Sequence, residues 1–145
     1  MKLPEIAQLV PQRGPMCLLH EVAHSDERGI VCSALSHRSP DNPLRRAGML
    51  PALAGIEYAA QALAAHCALL ARAHQAEPVQ GLLAGVREVE LHVARLDDID
   101  APLTVRAERL VANGPRLLYG FVIESGQRKL LNGRVAVVLR VKAPA

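Results

Sequence analysis

A chain of 145 residues, half of them hydrophobic, is long enough for one domain with a proper core, and with one Phe and no Trp that core is aliphatic. A formal net charge of +3, with no lysine/arginine block and no aromatic stacking signature, argues against nucleic acid as a partner. Cys17, Cys32 and Cys67 lie in apolar segments without metal-ligand spacing, and the start Met-Lys-Leu-Pro-Glu lacks the apolar block of a signal peptide. The expectation is a cytoplasmic protein with reduced cysteines and no metal.

In chain order, Pro4–Val10 predicts a short amphipathic helix on Ile6, Leu9 and Val10, broken by Pro11-Gln12-Arg13-Gly14-Pro15. The apolar run Met16–Ala23 predicts a strand, His24–Gly29 a turn, and Ile30–Ser36 a second strand pairing back. Ser39–Gly48, with two prolines and the pair Arg45-Arg46, reads as a loop.

Ala47–His74 is the stretch around which the rest is organised. It is rich in Ala and Leu, and Pro51 suits a first helical turn. Being apolar nearly all round, it predicts a core helix, while Glu57, Gln61, His66 and Arg72 interrupt it too often for a membrane span. Glu57 is the only carboxylate between Asp41 and Glu77, and Gln61 sits four residues later on the same face. A carboxylate in such surroundings is either structural, bonded to an arginine or to backbone N–H groups, or catalytic.

His74–Pro78 reads as a linker, and Gly81–Val93 alternates as a half-buried strand before the acidic turn Asp97-Asp98-Ile99-Asp100. Three more strands follow, Leu103–Val111, Leu117–Glu124 and Lys129–Val141, joined by turns at Asn113-Gly114-Pro115 and Ser125-Gly126-Gln127, with a frayed end at Ala143-Pro144-Ala145. Two strands, a long helix and four hairpin-linked strands predict an α+β fold over residues 1–145: a curled antiparallel sheet around a central helix. One sheet covers only part of such a helix, so a homodimer with a continuous sheet, or a higher assembly, is expected.

This order resembles the hotdog fold, and two motifs narrow it. Leu9-Val10-Pro11-Gln12-Arg13-Gly14-Pro15-Met16-Cys17-Leu18-Leu19-His20-Glu21-Val22 is similar to the Leu-Pro-His-Arg-x-Pro-x-Leu-Leu-x-Asp-Arg-Val stretch of 3-hydroxyacyl-[acyl-carrier-protein] dehydratases. Met49-Leu50-Pro51-Ala52-Leu53-Ala54-Gly55-Ile56-Glu57-Tyr58-Ala59-Ala60-Gln61-Ala62 resembles their Met-Pro-Gly-x-x-x-x-Glu-x-Met-Ala-Gln helix start. Gly-Ile-Glu-Tyr resembles a divergent branch found with aryl-polyene clusters. The resemblance implies dehydration of a carrier-bound 3-hydroxyacyl thioester in fatty acid or aryl-polyene-type biosynthesis, with no cofactor beyond the phosphopantetheine of acyl carrier protein or CoA. Glu57 matches the acid, Gln61 the glutamine that orients it, and the N–H of Ala52 the donor that polarises the thioester oxygen. Arg45 and Arg46 would meet the phosphopantetheine phosphate or an acidic carrier protein.

The usual enzymes carry Gly-His-Phe-Pro before the helix. Here Asn42-Pro43-Leu44-Arg45-Arg46-Ala47-Gly48 leads straight to Met49-Leu50-Pro51, so that histidine is missing. His20 and His37 are the candidate replacements; His66 reads as a core or interface residue, and His24, His74 and His92 as solvated. Two rivals stand beside the dehydratase: an acyl thioesterase using the same carboxylate on water, and a non-catalytic acyl-binding or partner subunit of an active dehydratase.

Overall fold

The computed structural model of the chain describes residues 4–76 and 79–141. The end of the expected linker, Glu77-Pro78, and the tail Ala143-Pro144-Ala145 lie outside them. The strands are β1 (Glu21–Ser25), β2 (Gly29–Ala34), β3 (Val79–Leu91), β4 (Leu103–Asn113), β5 (Arg116–Ser125) and β6 (Arg128–Val141), with one α-helix, α1 (Gly55–Ala73). They form a six-stranded sheet in the order β1-β2-β4-β5-β6-β3, antiparallel throughout, around α1. The expected curled sheet around a central helix is the observed fold.

Alternation sets the inner face. Leu103, Val105 and Ala107 on β4, Leu117, Tyr119, Phe121 and Ile123 on β5, and Leu131, Val135 and Val137 on β6 are buried. The β4–β5 and β5–β6 hairpins turn where the sequence expects, with Gly114 and Gly126 at positive φ as such tight loops require. On α1 the inward residues are Gly55, Tyr58, Ala59, Ala62, Leu63, Ala65 and His66. A Cβ on Gly55 would come within 2.8 Å of the Leu131 methyls, so any larger residue there requires Leu131 to shift. The outward face of α1, including Ala60, Ala64 and Cys67, stays half-buried, as expected for one sheet covering part of the circumference. Ala52–Ala73 is long and apolar enough to cross a bilayer, but half of it is buried within the fold, which identifies it as a core helix.

Several boundaries differ from expectation: the helix expected over Pro4–Val10 is only a 3₁₀ turn at Ile6–Gln8, and two further differences bear on the site. Pro51 is extended (φ −65°, ψ 149°) rather than helical, and a 3₁₀ turn (Ala52–Ala54) precedes α1. Segment 50–52 is held there by a bridge: Ala52 N–H donates to Ala94 O (3.0 Å) and Leu96 N–H to Leu50 O (2.9 Å). The run Met16–Ala23 is a strand only from Glu21. Leu18 and Leu19 are buried as the apolar run demands, but their stretch does not join the ladder. Side chains serve its backbone instead: Leu18 N–H donates to Gln61 Oε1 (2.9 Å), Gln61 Nε2 donates to Met16 O (2.7 Å), and Ser36 Oγ donates to Leu18 O (2.7 Å).

Candidate active site

The N-terminal segment, pinned by buried Ile6, Leu9 and Val10, runs as a strap beside α1. Between the strap, the outward face of α1 and β3 lies a groove of about 750 Å³. Glu57, Ala60, Ala64 and Ala68 form its helix wall, spaced by three or four residues, and Pro11, Gln12 and Leu83 line it opposite. A more open depression of about 590 Å³ contains Arg106, Glu108 and Arg134, charges of both signs, and none of the groove's residues.

Glu57 is half-buried on the groove wall rather than sunk in the core. Its Oε1 accepts from two amides, Gln12 Nε2 (3.3 Å) and Gln61 Nε2 (3.4 Å), and among the described residues it makes no ion pair. The structural alternative of a carboxylate bound to an arginine is therefore set aside. Gln61 is fully buried, and its amide orientation is fixed by the backbone of Leu18 and Met16, so it must point a donor at Glu57. Glu57 and Gln61 are brought together as the sequence expects. Gln12 is the member that sequence reasoning missed, although it stands inside the first motif where the family pattern has histidine.

No described histidine lines the groove or bonds Glu57. His37 is buried, with Nε2–H shared between Ile99 O (3.0 Å) and Ala101 O (3.1 Å), and burial holds its pKa below the usual value. It ties down the loop before β4. His66 is a core residue: Nε2–H donates to Asp26 O (2.8 Å), Nδ1 accepts from Tyr119 O–H (2.6 Å), and burial again keeps it neutral. Arg109 donates to the same Tyr119 oxygen (3.0 Å), closing that network. His20 is exposed at the start of β1.

Two groups expected to contact substrate are engaged within the fold. The Ala52 N–H is already given to Ala94 O and is not free to polarise a thioester oxygen. Arg45 is a loop staple, donating to Ser39 O (2.8 Å), Gly48 O (2.7 Å) and His37 O (3.3 Å). Arg46 is exposed, at the base of the two-residue turn Ala47-Gly48, both at positive φ. Buried Asp97 anchors the same region: it accepts from Leu50 N–H (2.9 Å) and pairs with Arg95, which holds its carboxyl well below the usual range. Cys32 is buried and its thiol is pushed up to about 12, so it is inert, and no described cluster of side chains could hold a metal ion.

The family model for ApeP-like proteins, described as ApeP dehydratase, matches residues 4–143. Among solved structures, the dehydratase heterocomplex ApeI:P from Xenorhabdus doucetiae is similar with a TM-score of 0.87 at 21% identity, over 97% of this chain and 94% of that one. A hypothetical thioesterase from Streptococcus pneumoniae, solved with coenzyme A, gives 0.62 at 13% identity over 86% and 88% of the chains. A probable thioesterase from Bartonella henselae gives 0.57 at 16% over 80% and 93%. A comparison with curated proteins gave no match. At these identities the structural likenesses establish the hotdog fold.

Proposed function

We propose that this chain, which belongs to the ApeP-like dehydratase family, is the carboxylate-bearing subunit of a two-subunit dehydratase for 3-hydroxyacyl thioesters. The observation that carries the reading is a groove with an acid on its wall and, among the described residues, no imidazole. Its lining is largely aliphatic, suited to an acyl chain, and Glu57 meets it with one oxygen held by amides. Dehydration needs two proton transfers. A base takes the C2 proton while the C3–O bond breaks and the C2=C3 bond forms, and an acid delivers a proton so that the hydroxyl leaves as water. Glu57 can give the second proton; the base comes from elsewhere, and its lack would forfeit about 10²–10⁴-fold.

The source of that base is a companion hotdog subunit. β3 is one edge of the sheet, thirteen residues long, with Leu82, Leu83, Val86 and Leu91 exposed, and Leu83 also lines the groove. An apolar, unpaired edge of this length is a template for another strand. A homodimer across it would set two base-free sites side by side, whereas a heterodimer completes the chemistry. The Xenorhabdus doucetiae relative is itself described as a dehydratase heterocomplex. The acyl group would arrive on acyl carrier protein or CoA in the cytoplasm, with exposed Arg46 rather than Arg45 meeting the carrier, and the chemistry calls for no further cofactor.

The test is hydration of a 2-enoyl thioester by the chain alone, by a histidine-bearing hotdog dehydratase subunit of the kind proposed as its companion, and by the two together. Activity appearing only in the complex, and falling by about 10²-fold or more in Glu57→Gln with an unchanged melting temperature, supports the reading. Full activity of either protein alone refutes the shared site. The thioesterase rival rests on the same Glu57, a groove carboxylate that could act as a base on water without an imidazole; release of free thiol in the same assay would support it.

A further inference from the structure

We infer that Gln12 is a positioning residue for Glu57, holding one carboxylate oxygen so that the other is the one that exchanges a proton with substrate. The inference rests on the proposed role of Glu57. Gln12 and Gln61 reach the carboxylate from different elements, the strap and α1, yet both donate to Oε1 (3.3 and 3.4 Å). Oε2 has no partner among the described residues.

The two amides differ in a telling way. Gln61 has every polar atom employed in the fold, since it also serves Leu18 and Met16. Gln12 employs one. Its Oε1 is buried with no hydrogen-bond partner, a costly arrangement that folding alone would remove by placing an apolar side chain there. The amide cannot turn over to relieve it, because its oxygen would then face the carboxylate. The only return on that cost is the N–H delivered to Glu57.

The arrangement has a chemical consequence. Both partners of Glu57 are neutral amides, and none is a cation. They hold Oε1 in place and leave Oε2, without a partner among the described residues, as the oxygen through which a proton would pass.

The test uses the full two-subunit complex with Gln12→Met, Gln12→His and, as a control, Glu57→Gln, reading kcat, KM and melting temperature on a 3-hydroxyacyl thioester. Methionine keeps the length of the side chain but removes both the donor and the orphan acceptor. Expected for Gln12→Met is a kcat lower by about tenfold to a hundredfold, KM changed by less than about threefold, and a melting temperature equal to or above wild type. Gln12→His returns an N–H to the position and should recover most of the kcat. A Gln12→Met protein that melts earlier, or one that keeps its kcat within about twofold while Glu57→Gln is inactive, overturns the inference and leaves the role of Glu57 standing. A fully active Glu57→Gln complex overturns the functional reading, and the inference with it.

Discussion

Gln61→Ala isolates the side chain on which fold and site both depend. In the wild type this amide is the hydrogen-bond partner of Leu18 N–H and Met16 O, in a stretch that makes no strand pairing of its own. Alanine leaves the Leu18 donor, on a residue 1% exposed, and the Met16 acceptor without partners. An orphaned buried group costs about 1–3 kcal/mol and the half-buried Met16 carbonyl, which water can reach, adds less, so the loss is roughly 1–4 kcal/mol of the 5–15 kcal/mol that stabilises a typical domain. Urea unfolding followed by circular dichroism should show the midpoint falling with an unchanged slope. Gln61→Glu separates the two contacts: its carboxylate keeps the Leu18 bond, meets Met16 O without a donor and stands beside Glu57. That variant should be destabilised at neutral pH and recover as acid protonates it. A Gln61→Ala protein within about 1 kcal/mol of wild type would refute the account, because the strap would then be held by something other than this amide.

Other perturbations separate the remaining roles. His37 and His66 are both held neutral by burial, with folded pKa values below 6.5. The unfolded chain therefore binds more protons in acid. Stability should be complete above about pH 6.5 and fall as pH drops below it, by up to about 1.4 kcal/mol per pH unit for each histidine; a flat urea-midpoint profile from pH 7 to 5 would contradict their assigned states. Arg45→Ala should cost about 1–3 kcal/mol through its lost carbonyl contacts, whereas Arg46→Ala should leave stability within about 0.5 kcal/mol and weaken use of carrier-bound substrate, less so at high salt. Equal effects of the two on stability would reverse that assignment. Leu83→Lys places a charge on the β3 edge and should shift the complex toward free subunits in the ultracentrifuge; an unchanged sedimentation profile would move the interface elsewhere.

What was legible in the sequence was local or periodic. The alternation of β4 to β6 and their glycine turns, the Ala/Leu-rich helix, and Glu57 with Gln61 on one face all follow from spacing along a single element. What was not legible depends on partners far apart in the chain. Gln12 and Glu57 are 45 residues apart, and nothing in Pro11-Gln12-Arg13 marks its amide as bound for a helix. The run 16–19 is apolar enough for a strand; that a glutamine and a serine would satisfy its backbone is a tertiary choice. The same holds for Ala52, whose N–H is claimed by Ala94, and for Arg45, whose charge suggested a substrate while its geometry serves three carbonyls.

The loop before α1 shows why the missing base is not a gap waiting for some other histidine of this chain. Arg46 and Met49 exchange backbone hydrogen bonds (2.7 and 3.0 Å) around Ala47-Gly48, closing the connection in two residues. Ala47 is held at φ 52°, an unfavourable value for alanine, which persists only where the surroundings enforce it. Those surroundings are the Arg45 staple on one side and the Leu50–Leu96 and Ala52–Ala94 bonds on the other. Immediately beyond, Asn42 and Ser36 bond Tyr58 O–H (3.0 and 2.7 Å), locking the loop to the first turn of the helix that bears Glu57. Arg45, the Leu50 and Ala52 backbone and the contacts among Ser36, Asn42 and Tyr58 are all committed to holding the connection short. If Glu57 is the acid proposed above, a connection tied down in this way fits a subunit whose base arrives across an interface.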